Sequence, residues 1–160
     1  MVKISIICVG KLKESYWRDA IAEYSKRMSR FADFCIIEVD EAKLPDSPSV
    51  SQIENTVKKE GERILSKLPK NCTAAAMCIE GKRFSSEKLA EVIQQNASFG
   101  SGNICFIIGG SWGLSDEVKK SSDIRMSMSE MTFPHQLARV MLCEQIYRSL
   151  NILSHTKYHK

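Results

Sequence analysis

The sequence contains no CxxC pair, no Gly-Lys-Ser or Gly-Lys-Thr triplet, and no apolar run approaching the roughly 20 residues of a membrane-spanning helix. The first absence argues against a bound metal, as does the confinement of His135, His155 and His159 to the last quarter of the chain without ligand spacing. The second removes the lysine with which a Walker A loop reaches terminal phosphates, and with it ATP hydrolysis. The third, with an N-terminal ISIICV too short for a signal-peptide core, points to a cytoplasmic protein without membrane association. Charge of one sign is also scarce. The 23 Lys+Arg face 19 Asp+Glu, and a net +4 admits an anionic partner without the strong basicity that would announce one.

What remains has an ordinary globular balance. With 43% hydrophobic and 26% charged residues, the 160-residue chain suits one soluble domain spanning residues 1–160 with a real core, and no repeat, linker or low-complexity tract divides it. The six cysteines (Cys8, Cys35, Cys72, Cys78, Cys105, Cys143) fall mostly inside apolar runs and read as small core residues of a reducing cytosol.

Strand and helix signals alternate along the chain. Residues 2 to 9 form a β-branched strand ended by Gly10, and Ser15 is the expected N-cap of a helix whose apolar positions Trp17, Ile21, Tyr24, Met28 and Phe31 recur at helical spacing. Residues 34 to 39 return to strand. After a loop carrying Pro45 and Pro48, Ser51 and Glu54 have capping-box spacing and open a helix to about Leu68, with Ile53, Val57, Ile64 and Leu65 inward. A third strand covers 72 to 79, a helix capped by Ser85 or Ser86 runs to about Ala97, and a fourth strand covers 103 to 108. A short helix near 115 to 121, a strand within DIRMSMS, and a long helix with Pro134 in its first turn complete the chain. The alternation predicts an α/β fold: a mostly parallel sheet with helices on both faces and ligands at the carboxyl ends of its strands.

Two stretches attract attention. In ICFIIGGSWGLSDEV (104 to 118) an apolar strand breaks at Gly109, Gly110 and Gly113. A dinucleotide fingerprint needs a third glycine where Ile108 stands and normally follows the first strand, although Glu130 lies at a suitable distance for a ribose contact. Two readings stay open: a bare loop whose backbone approaches a flat ligand closely, or a tight strand-to-helix turn that binds nothing. In SMSEMTFPHQLARVMLCEQIYRSL, Met128 and Met131 suit either core or an adaptable apolar pocket. The helix that follows is apolar on nearly every side. Glu144 and Arg148 share one face and His135 and Arg139 the opposite one, a pattern expected of an interface that continues into a core. The tail NILSHTKYHK reads, by itself, as solvated.

Taken together, VGKLKE, Tyr16-Trp17, KEGERIL, IEGK, FIIGGSWGL, MTFPHQLARV, EQIYRS and the terminal KYHK resemble the bacterial ribosomal RNA large-subunit methyltransferase H family, in order and over essentially the whole chain. That family belongs to the SPOUT class. The resemblance implies a C-terminal trefoil knot, a homodimer, and S-adenosylmethionine-dependent methylation of N3 of a pseudouridine in the helix 69 loop of 23S rRNA on the assembled ribosome. It also implies a cofactor pocket of Met77, Gly109, Met128, Ser129, Glu130, Met131, Thr132 and Phe133. By the family match and residue chemistry, His159 is the expected base, Arg148 the cation that stabilises the deprotonated imide, and Tyr158 the residue that stacks on or orients the nucleobase. Glu144 is expected to hold Arg148 across one turn, His135 to support the loop or cap the helix, and Trp112 to wall the cofactor or touch RNA. Lys11, Lys13, Arg18, Lys157 and Lys160 are expected near RNA phosphates, in which case affinity for ribosomes falls as salt rises. A non-catalytic ribosome-binding protein and a nicotinamide-dependent oxidoreductase are the competing readings; binding of S-adenosylmethionine, of its demethylated product or of NAD separates all three.

Overall fold

The computed structural model describes residues 1–159, so Lys160 and its expected RNA contact lie outside the described residues. Five strands, β1 (Val2–Val9), β2 (Ala32–Val39), β3 (Thr73–Arg83), β4 (Asn103–Ile108) and β5 (Ile124–Ser127), form one sheet in the order β2-β1-β4-β3-β5, every neighbouring pair parallel. Five helices alternate with them: α1 (Ser15–Met28), α2 (Val50–Lys67), α3 (Ser86–Phe99), α4 (Asp116–Lys120) and α5 (His135–Leu153). The expected α/β architecture is therefore present, with a wholly parallel sheet.

Central strands of a parallel sheet lose water on both faces, which is why β1 and β4 read as continuous apolar runs rather than alternating ones. Ile4, Ile6, Cys8, Ile104 and Phe106 pack on one face with Met28, Leu89, Ile93, Leu142 and Ile146, the side of α1, α3 and α5. Ile7, Val9, Cys105 and Ile107 pack on the other with Ile64, Leu114 and Val118, the side of α2 and α4. Each fully buried isoleucine is worth about 1.5–3 kcal/mol of transfer free energy. Such a sheet is stiff, and its carboxyl edge offers fixed points for loops.

Several boundaries differ from expectation for local reasons. Ser15 is already helical; Glu14 holds the cap position of α1 with no side-chain cap. The capping box of α2 is Ser49 and Gln52, not Ser51 and Glu54. Ser49 has the extended backbone a cap requires, its Oγ accepts from the Gln52 N–H at 3.2 Å, and Gln52 Oε1 accepts from the Ser49 N–H at 2.8 Å. Ser85 caps α3, and Pro134 stands at the cap of α5, one place before the first turn.

The largest departure is β3, which does not end at residue 79. It pairs with β5 through Met77↔Met126, slips, and pairs again through Lys82↔Met126 and Arg83↔Ser127. Two stretches of β3 thus share one partner residue, and Cys78, Ile79 and Glu80 are pushed out of the ladder beyond the edge of the sheet, as an irregularity of this kind does. Gly81 is where the strand returns. A Cβ there would stand 2.7 Å from Met126 N and C, backbone atoms that have nowhere to go. Gly81→Ala is expected to lower stability by about 1–3 kcal/mol, the cost of overpacking. Urea denaturation measures this, and an unchanged midpoint would contradict the crossing described here.

Candidate active site

β4 ends at Ile108 and the chain doubles back at once. The Gly113 N–H donates to Gly110 O at 3.1 Å, closing an isolated antiparallel bridge around Ser111 and Trp112. The bend itself accounts for its glycines. A Cβ on Gly109 would stand 2.6 Å from Gly113 C and O, one on Gly110 would press on Glu60 Oε1 at 3.2 Å, and Gly113 has φ +81°. Packing of the turn thus requires its glycines, and Gly109, Gly110 and Gly113 also border the concave site beside it.

That site is a cleft of about 820 Å³ between the turn, the displaced part of β3, and the segment from Met126 to Ala138. Ser127 Oγ donates to Ser129 O at 3.0 Å and Ser129 Oγ accepts from the Met131 N–H at 3.0 Å, which pins the far wall. Met77, Gly109, Met128, Ser129, Met131, Thr132 and Phe133 all border the cleft. Glu130 is the exception among the expected cofactor residues. It points outward, 3.5 Å from the Arg83 guanidinium, and both side chains are exposed.

Cys78, Ile79, Met126 and Leu114 complete the apolar lining, and sequence reasoning did not single them out. The one usable signal was Gly81 inside a strand pattern, which marks an irregularity. Trp112 stands at the mouth, 52% exposed, with Ile79 and Met131 also exposed. Lys119 pairs with Glu80 at the rim, and that hydrogen bond holds the Glu80 carboxyl below the usual carboxylate range.

The tail of the chain does not lie free. Arg148 donates twice to Glu144 Oε1, from Nε at 3.0 Å and Nη2 at 2.6 Å, and its guanidinium carbon lies 5.0 Å from the centre of the Tyr158 ring. The Tyr158 hydroxyl donates to the same Glu144 oxygen at 3.3 Å, and its ring meets Tyr147 edge-on at 4.7 Å. His159 Nε2 is 2.9 Å from Glu87 Oε1 on α3, and its Nδ1 is 3.5 Å from Arg148 Nη1. So the three expected catalytic residues form one cluster. The Glu144 hydrogen bond raises the Arg148 pKa, and burial raises that of Tyr158, leaving a permanent cation beside a protonated phenol at neutral pH. Glu87, which orients the imidazole, was not foreseen. Arg18, expected near RNA phosphates, donates from Nη1 to the carbonyls of Leu12 and Lys13 and braces that loop.

Arg139 was read as one side of a helix and proves to be a buried cation, 1% exposed. Its Nη2 donates to Gly10 O at 3.2 Å, its Nη1 is 3.6 Å from Glu38 Oε2, and its Nε has no partner among the described residues. One turn earlier, His135 borders the cleft. Its buried Nδ1 is also without a partner there, so the ring neither caps α5 nor ties down the loop as expected. Among the described residues, no group of three His, Cys, Asp or Glu side chains can hold a metal ion, and no helix is long and apolar enough to cross a membrane.

A parallel sheet with an apolar, methionine-walled cleft beside a glycine turn defines a class, and comparison with known proteins agrees with it. A family model described as "Predicted SPOUT methyltransferase" matches residues 2–159. Proteins named "Ribosomal RNA large subunit methyltransferase H" from Lactiplantibacillus plantarum, Lactococcus lactis subsp. cremoris and Carboxydothermus hydrogenoformans are 48%, 47% and 45% identical to it over 159 residues, covering 99% of this chain and 100% of each relative. The chain belongs to the SPOUT methyltransferases, in the ribosomal RNA large subunit methyltransferase H family. Membership implies the C-terminal trefoil knot, and the methyl donor of these enzymes is S-adenosylmethionine. The cleft fits that donor. Its volume suits a small-molecule site, and its thioether and aliphatic walls suit the adenine and methionyl chain.

His135 gives this site a pH signature. Burial first, then the Arg139 cation, hold its pKa below the ordinary 6.5, with Glu41 opposing. The unfolded ring takes up a proton near pH 6.5 and the folded ring only at lower pH. The associated stability is therefore complete above that value and is lost as pH falls below it. Between pH 7.5 and 5.5 the wild type should lose up to about 1 kcal/mol more than His135→Gln in urea titrations. Parallel losses would show that the ring is not held neutral.

Proposed function

We propose that this chain methylates N3 of a pseudouridine in the helix 69 loop of 23S rRNA on the assembled ribosome, in the cytoplasm, as a homodimer of single-domain chains. The relatives are named for large-subunit ribosomal RNA, and RNA loops expose the base edges that a duplex hides. The observation that carries the reading is the Arg148–Tyr158–His159 cluster, which gathers a cation, an aromatic platform and an imidazole at one end of the helix whose other end borders the donor cleft.

S-adenosylmethionine, when bound, supplies an electrophilic methyl group that needs no metal activation. The chain's own residues must hold the nucleobase, take its imide proton and exclude water. Tyr158, kept as a phenol, presents its ring and cannot serve as base at neutral pH. Glu87 accepts from His159 Nε2–H, which makes Nδ1 the accepting nitrogen; it faces Arg148 Nη1 at a long 3.5 Å, a contact that the substrate's imide N–H replaces when Nδ1 takes the proton. Arg148 stands beside that nitrogen and offsets the charge that develops on the deprotonated base.

Distance supports the dimer. Ala138 is the last residue of α5 that borders the cleft, and Arg148 lies ten residues further on, about 15 Å along a helix axis. In-line transfer needs reacting atoms roughly 3–3.5 Å apart. The cluster therefore serves the cleft of a second copy packed along α5, whose outer side carries the half-buried Leu137 and Met141.

At neutral pH His159→Ala should slow transfer about 100-fold, the usual contribution of a positioned base, while calorimetry finds donor affinity unchanged. Full retention of methylation would remove the base assignment. Mass spectrometry of 23S rRNA from cells lacking the gene should show one methylated pseudouridine fewer; an unaltered rRNA would contradict the substrate.

A further inference from the structure

A second cleft of about 820 Å³ opens at the same carboxyl edge, where β1 and β2 end against α2, and the donor pocket does not use it. Its walls carry Lys11, Lys13, Lys43, Lys59 and Arg63 against the two carboxylates of Asp40 and Glu41. That is an excess of three positive charges in a chain whose whole formal excess is four. Among the described residues none of the four lysines is in an ion pair, and Arg63 is aimed by its bond to Asp40 O at 2.8 Å. Gln52, Asn55 and Thr56 add neutral hydrogen-bonding groups on the α2 side. Unpaired like charges facing one hollow repel each other, and an anion relieves that cost.

A buried carboxyl side chain lies between the loop that walls this hollow and the glycine turn. Glu60, 5% exposed, accepts from the Ala42 N–H at 3.0 Å on the loop that walls the basic cleft. Its other oxygen lies where a Cβ on Gly110 would reach, at 3.2 Å, against the glycine turn. Burial raises the Glu60 pKa, opposed by the Ala42 N–H hydrogen bond and the nearby Arg63 cation.

The geometry points to a phosphodiester site: the basic cleft holds the backbone of the RNA strand that flanks the acceptor nucleotide and delivers it along the carboxyl edge to the donor cleft. A free phosphate would satisfy the same cations. The extended spread of five of them over two loops and a helix favours a strand. The inference rests on the proposed RNA substrate, yet its test does not depend on turnover.

The variant carries Lys43→Ala and Lys59→Ala, two exposed positions outside the donor cleft and the tail cluster. Fluorescence anisotropy with a short labelled single-stranded oligoribonucleotide reads binding as a function of salt. Two lost phosphate contacts should weaken binding about tenfold near 0.1 M salt and flatten the log–log salt slope by about 1.4. Calorimetry should find S-adenosylmethionine binding intact. In methyl transfer to ribosomes, KM should rise several-fold with kcat nearly unchanged, which a merely destabilised enzyme would not show. Equal affinity and slope for variant and wild type would overturn the proposal. So would a calorimetric loss of inorganic pyrophosphate binding with RNA binding untouched, which would assign the cleft to a free phosphate. If the oligonucleotide results hold while wild-type enzyme leaves rRNA unmethylated, the substrate reading falls and the phosphodiester site stands.

Discussion

A helix of nineteen residues sets the geometry on which the chemistry depends. α5 begins at His135, beside the donor cleft, and carries Glu144 and Arg148 toward its far end, where the tail folds back onto Tyr147. Its inner side is locked into the core through Leu142, Cys143, Ile146 and Leu150. A helix packed that way does not bend to bring its ends together, so the separation of the two centres is a fixed property of the chain. The proposed dimer answers a constraint, because no rotamer change within one protomer closes a gap of about 15 Å between residues ten positions apart on a helix.

The carboxyl edge of the sheet supplies the second fixed frame. Strands buried on both faces end there at defined heights, and the loops leaving them are tied by buried polar groups. Glu60 accepts from the Ala42 N–H of the 40–45 loop and lies against the glycine turn, while Arg139 links α5 to the ends of β1 and β2 through Gly10 and Glu38. Losing either contact is costly, because the Arg139 cation stays out of water even though Glu38 does not. The basic cleft, at the ends of β1 and β2, and the donor cleft, beside the end of β4, adjoin along this edge because β1 and β4 are neighbours in the sheet.

Much of this architecture was legible in residue pattern. β1 announces itself as a β-branched run and β4 as an apolar one, α3 by the serine at its cap, and the parallel sheet by simple alternation. What pattern could not carry was anything set by a distant partner. The slip in β3 depends on β5, some forty residues later, and leaves only a glycine as its local trace. Arg139 looks like a surface cation on a helical wheel, and only the approach of Gly10 and Glu38 makes it internal. For the glycine turn, both readings held part of the truth: the turn needs its glycines for itself, and the cleft beside it is lined by residues far along the chain. Glu130 had the right neighbours in sequence, yet the backbone of its segment directs it to Arg83. The tail's fold onto α5 rests on Tyr147 and Glu87, neither of which local sequence connects to it. Resemblance to a family supplied the knot and the donor, which periodicity does not encode.

The most direct test of the shared site is complementation between two inactive chains. One carries Arg148→Ala and keeps its donor cleft; the other carries Thr132→Trp, which fills the cleft from an exposed position and keeps its tail. When the two are refolded together in equal amounts, half of the dimers are mixed and each mixed dimer has one complete site, so activity should return to about a quarter of wild type. If the mixture stays as inactive as its components while forming mixed dimers, the acceptor cluster does not work across the interface and the account is wrong.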